Sequence, residues 1–207
     1  VAKKKSSRLI HVSTDYVFDG VGSQPYAEDA LCHPASVYGK SKRVGEEHVL
    51  ELLPDSGSIV RTAWLYGEHG TSFPRTILKL GASQDTLDVV DDQVGQPTWA
   101  HDVGQMIAAL VSQGAPAGIV HATNSGQTTW WGFAQRLFEL AGWDPARIIP
   151  VSSQKFIRPA PRPAWSVLGH ANWARLGMNA PRHWRDALDE AWDQELSPFA
   201  QEINSAQ

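Results

Sequence analysis

Residues 8–20 read RLIHVSTDYVFDG. The first part is a short, mostly apolar run of the kind that makes a buried strand, and the pattern predicts a strand over 8–13. A plain connecting turn after it needs only Gly, Asn, Asp or Pro. This chain instead leaves the strand through Ser13, Thr14, Asp15 and Tyr16, which bring hydroxyls, a carboxylate and a phenol together at once. In open parallel sheets, ligands sit beyond the carboxyl ends of the strands. A strand exit this dense in polar groups is therefore a candidate site.

Outward from that stretch, helix and strand patterns alternate. An amphipathic helix is expected over 36–53, a strand over 57–64 and a helix over 72–82 that carries Pro74 in its first turn, where a missing N–H costs little. A strand over 86–92, a helix over 100–114 closed by Gly114, and a strand over 118–124 follow. A helix over 128–142 with a Thr N-cap comes next, then a strand-like RIIPVSS at 147–153 and a Pro-rich connection over 158–166. Two short helical stretches, 171–177 and 183–196, finish the chain. The alternation predicts an α/β protein with a largely parallel sheet. The many tryptophans, Trp130, Trp143, Trp184 and Trp192 among them, fall in or beside helical patterns and read as core fillers.

Tyr38 and Lys42, in YGKSK, stand four apart and so on one face of the helix expected over 36–53. A phenol titrates near pH 10. A neighbouring ammonium favours the phenolate, which turns the pair into an acid–base unit usable at neutrality. The spacing alone is common surface decoration. Its meaning comes from position, on the first helix after a strand that ends in Ser13 and Thr14. A hydroxyl, a phenol and an ammonium gathered there can bind a carbonyl oxygen and protonate it as hydride arrives.

Composition narrows the alternatives. With 207 residues the chain can bury a sizeable core, and a net charge of −4 gives no electrostatic footprint for nucleic acid or anionic lipid. No apolar run approaches the length of a membrane span, and no signal peptide is visible. Cys32 is the only cysteine, so no intrachain disulfide can form, which suits a reducing, cytoplasmic setting. Two lookalike motifs fail. The GKS at 39–41 would need glycine where Pro34 stands to be a phosphate-binding loop, and the GVG at 20–22 meets Pro25 where a dinucleotide fingerprint has its third glycine. His11 and His33 have no metal-ligand spacing, and His69 reads as a loop residue. No metal site is expected.

The ordered set STDYVFDG, YGKSK, RTAWLYG, DDQVGQPT and RPAPRPAWSVL, spanning 13–168, resembles the dTDP-4-dehydrorhamnose reductase family of the extended short-chain dehydrogenase/reductases. The resemblance implies part of a Rossmann-like, doubly wound parallel sheet with a smaller C-terminal α/β region. Residues 1–65 would form the C-terminal half of a dinucleotide-binding domain, and 66–207 a substrate-binding region with segments returning to the main sheet. It further implies NADPH or NADH as cofactor and reduction of the C4 ketone of a dTDP-4-keto sugar. Thr14 would bind the ketone, Tyr38 would donate the proton, and Lys42 would hold the nicotinamide ribose, with Thr62 also on the cofactor side. Asp15, Tyr16, Trp64 and Arg162 would face the nucleotide sugar; without the resemblance, Trp64 reads as a core residue and Arg162 as a surface arginine. Gln93 and Thr98 shape a loop at the pocket mouth and receive no chemical role.

The glycine-rich turn that cradles a cofactor pyrophosphate in such folds is not in this sequence. The resemblance puts the strand at 8–13 fifth in the full fold, so some four strand–helix units, roughly 90 residues, are expected upstream of Val1. The chain by itself is then expected to hold cofactor poorly. Two other functions stay open at this point. One is a non-catalytic dinucleotide-binding regulatory subunit of the methionine adenosyltransferase type, and the other a nucleotide-sugar epimerase or dehydratase. A homodimer is also open.

Overall fold

Three parallel strands carry the site: β1 (Leu9–Thr14), β2 (Gly57–Thr62) and β7 (Gly118–His121), in the order β1-β2-β7. The computed structural model describes residues 2–156, 160 and 162–205. In chain order the remaining strands are β3 (Leu65–Tyr66), β4 (Leu87–Val90), β5 (Val94–Gly95), β6 (Thr98–Trp99), β8 (Thr128–Thr129) and β9 (Ile148–Val151). The helices are α1 (Val37–Leu52), α2 (Phe73–Ser83), α3 (Ala100–Ser112), α4 (Trp130–Leu140), α5 (Ala171–Arg175), α6 (Trp184–Ala191) and α7 (Ser197–Ser205), the last two joined by a π turn over Trp192–Leu196.

The main sheet is parallel throughout, with Val12, Val60 and Val120 in register across it. β2 is buried at every position, as a central parallel strand must be. On one face lies α1. On the other, Val60, Val120 and Ala122 pack with Leu110 of α3 and Trp173 of α5. Both faces are thus covered, and the chain is an α/β protein of parallel architecture.

A second, larger core joins α2, α4, α6 and α7 to the parallel pair β4–β9. Phe133, Leu137 and Phe138 of α4 are fully buried in it. Each contributes on the order of 2 kcal/mol relative to exposure. Two-residue ladders, β3 with β6 (parallel) and β5 with β8 (antiparallel), fasten this part to the end of β2. Gln96, buried between them, takes the Leu168 N–H and the Thr123 hydroxyl on its Oε1 and donates to the Leu168 carbonyl.

A buried ion pair pins α1 to the sheet. Arg61 of β2 and Glu46 of α1 are both fully buried and meet as a two-pronged fork, Nε to Oε1 and Nη2 to Oε2, each at 2.8 Å. Arg61 also reaches the Glu28 carbonyl at 3.3 Å and lies over the Phe18 ring at 5.1 Å. Burial alone would raise the Glu46 carboxyl, but its bonds to Arg61 and that residue's charge outweigh it and hold the group below its usual range.

Candidate active site

Thr14 is the last residue of β1 and caps the tight turn Asp15–Val17. Its Oγ1 accepts from the Tyr16 N–H at 3.3 Å and donates to Asp15 Oδ1 at 2.8 Å. α1 begins beside this turn, capped by Ser36, whose Oγ accepts from the Gly39 N–H at 3.0 Å. The glycine of YGKSK has a specific reason to be there. A Cβ on Gly39 would stand 2.1 Å from the Tyr16 carbonyl oxygen, so only glycine lets the first turn of α1 press against the strand exit. That approach sets the Tyr38 ring edge-on to Tyr16, centroids 5.7 Å apart. One turn on, Lys42 Nζ donates to the Val12 carbonyl at 2.6 Å.

These groups line one cavity of about 760 Å³ at the carboxyl ends of β1 and β2, with Thr14, Asp15, Tyr16, Tyr38, Lys42, Thr62, Trp64 and Arg162 all in its wall. Every residue singled out from the sequence is brought together there. Thr62, paired with Thr14 across the sheet, is buried, and its Oγ1 has no hydrogen-bond partner among the described residues. A buried hydroxyl left free in a cavity wall fits a polar ligand group. Arg162 is exposed and stands where this cavity meets two others. Arg158, Pro159 and Pro161 of the same Pro-rich run lie outside the described residues.

Asp15 is 4% exposed, and its Oδ2 has no hydrogen-bond partner among the described residues. Burial pushes its carboxyl up to about 7, against the opposing effect of the Thr14 hydrogen bond. The folded state therefore holds this proton more tightly than the unfolded chain does. The stability it contributes is complete below about pH 4 and is lost as pH rises to about 7. Asp15→Asn removes the titration, so wild type should lose stability relative to the variant across that window. Urea midpoints of the two proteins at several pH values test this, and parallel curves would contradict it.

A neighbouring cavity of about 460 Å³ is lined by Phe73, Gln93, Trp130, Phe156 and, again, Arg162. Local sequence pattern does not mark this space: Gln93 carries no expected chemistry and Trp130 reads as packing, yet both line it. Trp64 and Trp130 stack between the two cavities, ring centroids 3.5 Å apart and planes 7° from parallel. Trp64 also departs from the expected strand over 57–64. β2 stops at Thr62, and Trp64 takes a left-handed φ of 46°. For a bulky residue such a backbone costs about 1–3 kcal/mol and persists only where its surroundings enforce it. Thr98, by contrast, is structural, donating to the Gln96 carbonyl at 3.0 Å. Among the described residues no cluster of His, Cys, Asp and Glu is arranged to hold a metal, and no helix is long and apolar enough to cross a membrane.

The chain is similar to known proteins in sequence and in fold. Residues 1–197 match the family described as the RmlD substrate binding domain. The chain is 50% identical over 192 residues to a dTDP-4-keto-6-deoxy-D-glucose reductase of Streptomyces niveus, covering 93% of this chain and 66% of that protein. To a dTDP-4-dehydrorhamnose reductase of Streptomyces griseus it is 52% identical over 188 residues, covering 89% of this chain and 62% of the relative. Among solved structures, the Bacillus anthracis dTDP-4-dehydrorhamnose reductase in complex with NADP superimposes with a TM-score of 0.87 at 34% identity, over 93% of this chain and 67% of that one. The chain thus spans somewhat under two thirds of the length of these two curated relatives.

Proposed function

We propose, since this chain belongs to the RmlD substrate binding domain family, that it forms the catalytic and substrate-binding part of an NADPH- or NADH-dependent reductase. Its reaction is reduction of the C4 ketone of dTDP-4-dehydro-L-rhamnose to dTDP-L-rhamnose. The observation that carries the reading is the convergence of Thr14, Tyr38 and Lys42 with Trp64 and Arg162 on one cavity beyond β1 and β2. The reductase names of the relatives above, and the NADP in one of them, support it.

When bound, the nicotinamide supplies hydride to C4. Thr14 and the Tyr38 hydroxyl hydrogen-bond the ketone oxygen, and Tyr38 gives up its proton to that oxygen as it becomes an alkoxide. Lys42, Tyr38 and Thr62 hold the cofactor side, where the free Thr62 hydroxyl finds its partner. Asp15 and Tyr16 floor the sugar site and Trp64 walls it. Arg162, an exposed planar donor, takes the diphosphate, and the aromatic-lined cavity beyond it receives the nucleoside. Thr14 must release Asp15 to donate its own proton to the ketone, so Asp15 governs which way that hydroxyl points. The division into a 1–65 half of a dinucleotide-binding unit and a 66–207 substrate region belongs to the same proposal, as does a cytoplasmic location.

The test is oxidation of NADPH on addition of dTDP-4-dehydrorhamnose, run on this chain and on a protein of its relatives' full length. The longer protein should turn over. Cofactor bound without any substrate-dependent oxidation would overturn the proposal.

A further inference from the structure

Three described non-glycine residues have a left-handed backbone, and of these only Trp64 lines the cavity beyond β1 and β2. Two features hold it there. Trp130 covers a face of its ring at 3.5 Å. Gly95 supplies room that no other residue would leave, because a Cβ at that position would lie 2.4 Å from Trp64 Cε2 and 2.5 Å from Cζ2. Both features ride on one ladder. β5 pairs with β8, Gly95 opposite Thr128 and Val94 opposite Thr129, and Trp130 follows directly as the first residue of α4. Trp130 leans in turn on Phe73, centroids 4.6 Å apart, and the Trp64 carbonyl accepts the Thr98 N–H at 3.2 Å.

The geometry points to Trp130 as a positioning residue that, with Gly95, clamps the Trp64 indole into a fixed wall between the sugar cavity and the cavity beside it. The nucleotide sugar then has to pass from one to the other by way of Ala160 and Arg162, which line both. A rigid aromatic wall loses no freedom when the sugar docks, so the clamp acts on substrate binding. Its ligand is the one named under the proposed function, and the inference rests on that reading for the ligand alone.

Two measurements test it. Stacked indoles couple electronically, so the wild-type chain should show an exciton couplet in far-ultraviolet circular dichroism. Trp130→Ala, Trp64→Ala and Gly95→Ala should each abolish it, while urea unfolding confirms that each variant is folded. In the full-length enzyme, Trp130→Ala should raise KM for the nucleotide sugar by about tenfold, the upper end of what an aromatic pair contributes, with kcat changed far less. Trp130→Phe, which keeps an aromatic face, should recover most of the loss. In a Trp64→Ala background, removing Trp130 should raise KM by much less than it does in the wild type, because the part of the effect that runs through Trp64 is already gone. A wild-type chain without the couplet, an unchanged KM in Trp130→Ala, or the same KM rise with Trp64 already absent would each overturn the inference. A couplet in an enzyme that never turns over would sink the functional reading, and with it the clamp's role toward substrate.

Discussion

Tyr38→Phe should lower kcat by about 10²-fold or more while leaving the fold intact. The magnitude is that of losing a positioned general acid. The fold should be unaffected because Tyr38 is 53% exposed and lines the cavity, its ring meeting Tyr16 edge-on. Exposed substitutions of this kind usually change stability by no more than about 0.5 kcal/mol. Cofactor affinity should fall much less than kcat, since Lys42 and Thr62 remain. Steady-state kinetics beside a urea unfolding curve separate the two effects. Wild-type turnover in Tyr38→Phe would remove Tyr38 as proton donor and leave Thr14, with Asp15 behind it, as the group to test.

Removing Arg61 should strongly destabilise the fold. Arg61→Met leaves the buried Glu46 with Arg43, at 3.1 Å, as its remaining ion-pair partner among the described residues. Breaking a buried pair from one side costs about 3–5 kcal/mol, because the remaining charge is stranded away from water. The double variant Arg61→Met/Glu46→Leu should recover much of that loss, since apolar groups of similar volume often replace a buried pair at little cost. Glu46 sits one turn beyond Lys42 and two beyond Tyr38, on the face that α1 turns to the sheet, so the pair also fixes where those side chains stand. Its pH signature follows from the lowered Glu46 carboxyl. The stabilisation is present above the ordinary carboxylate range and fades as pH falls through it. Chemical denaturation of the single and double variants measures the effect. A double variant no more stable than Arg61→Met alone would show that packing, not the stranded charge, is responsible.

How much of this was legible in the sequence depended on whether a feature was local. α1 was expected over 36–53 and spans Val37–Leu52, because a Ser cap and apolar spacing announce a helix within a few residues. The strand exit at Thr14 and the Tyr38–Lys42 spacing were readable for the same reason. What pairs residues far apart was not. Glu46 and Arg61 are ordinary charged residues until the fold sets them 2.8 Å apart. Trp130 reads as packing because its stacking partner, Trp64, lies far away in sequence, in the bend between β2 and β3. The ladders β3–β6 and β5–β8 are only two residues long on each strand, too short for any alternation to show. The last helix was missed past Leu196 because Ser197–Pro198 resembles a stop. Pro198 instead lies just past the π turn Trp192–Leu196, in a backbone that stays helical from α6 into α7.

Under the proposed function, hydride reaches C4 of a dTDP-linked keto sugar held against Thr14 and Tyr38. This is tested most directly with NADPH deuterated at the transferable nicotinamide position, incubated with the full-length enzyme and dTDP-4-dehydrorhamnose. The expected product is dTDP-rhamnose carrying one deuterium at C4, seen by NMR, with the cofactor left oxidised. Deuterium at another carbon, or an altered sugar with the cofactor returned unchanged, would contradict it and assign the same cavity to an epimerase or dehydratase.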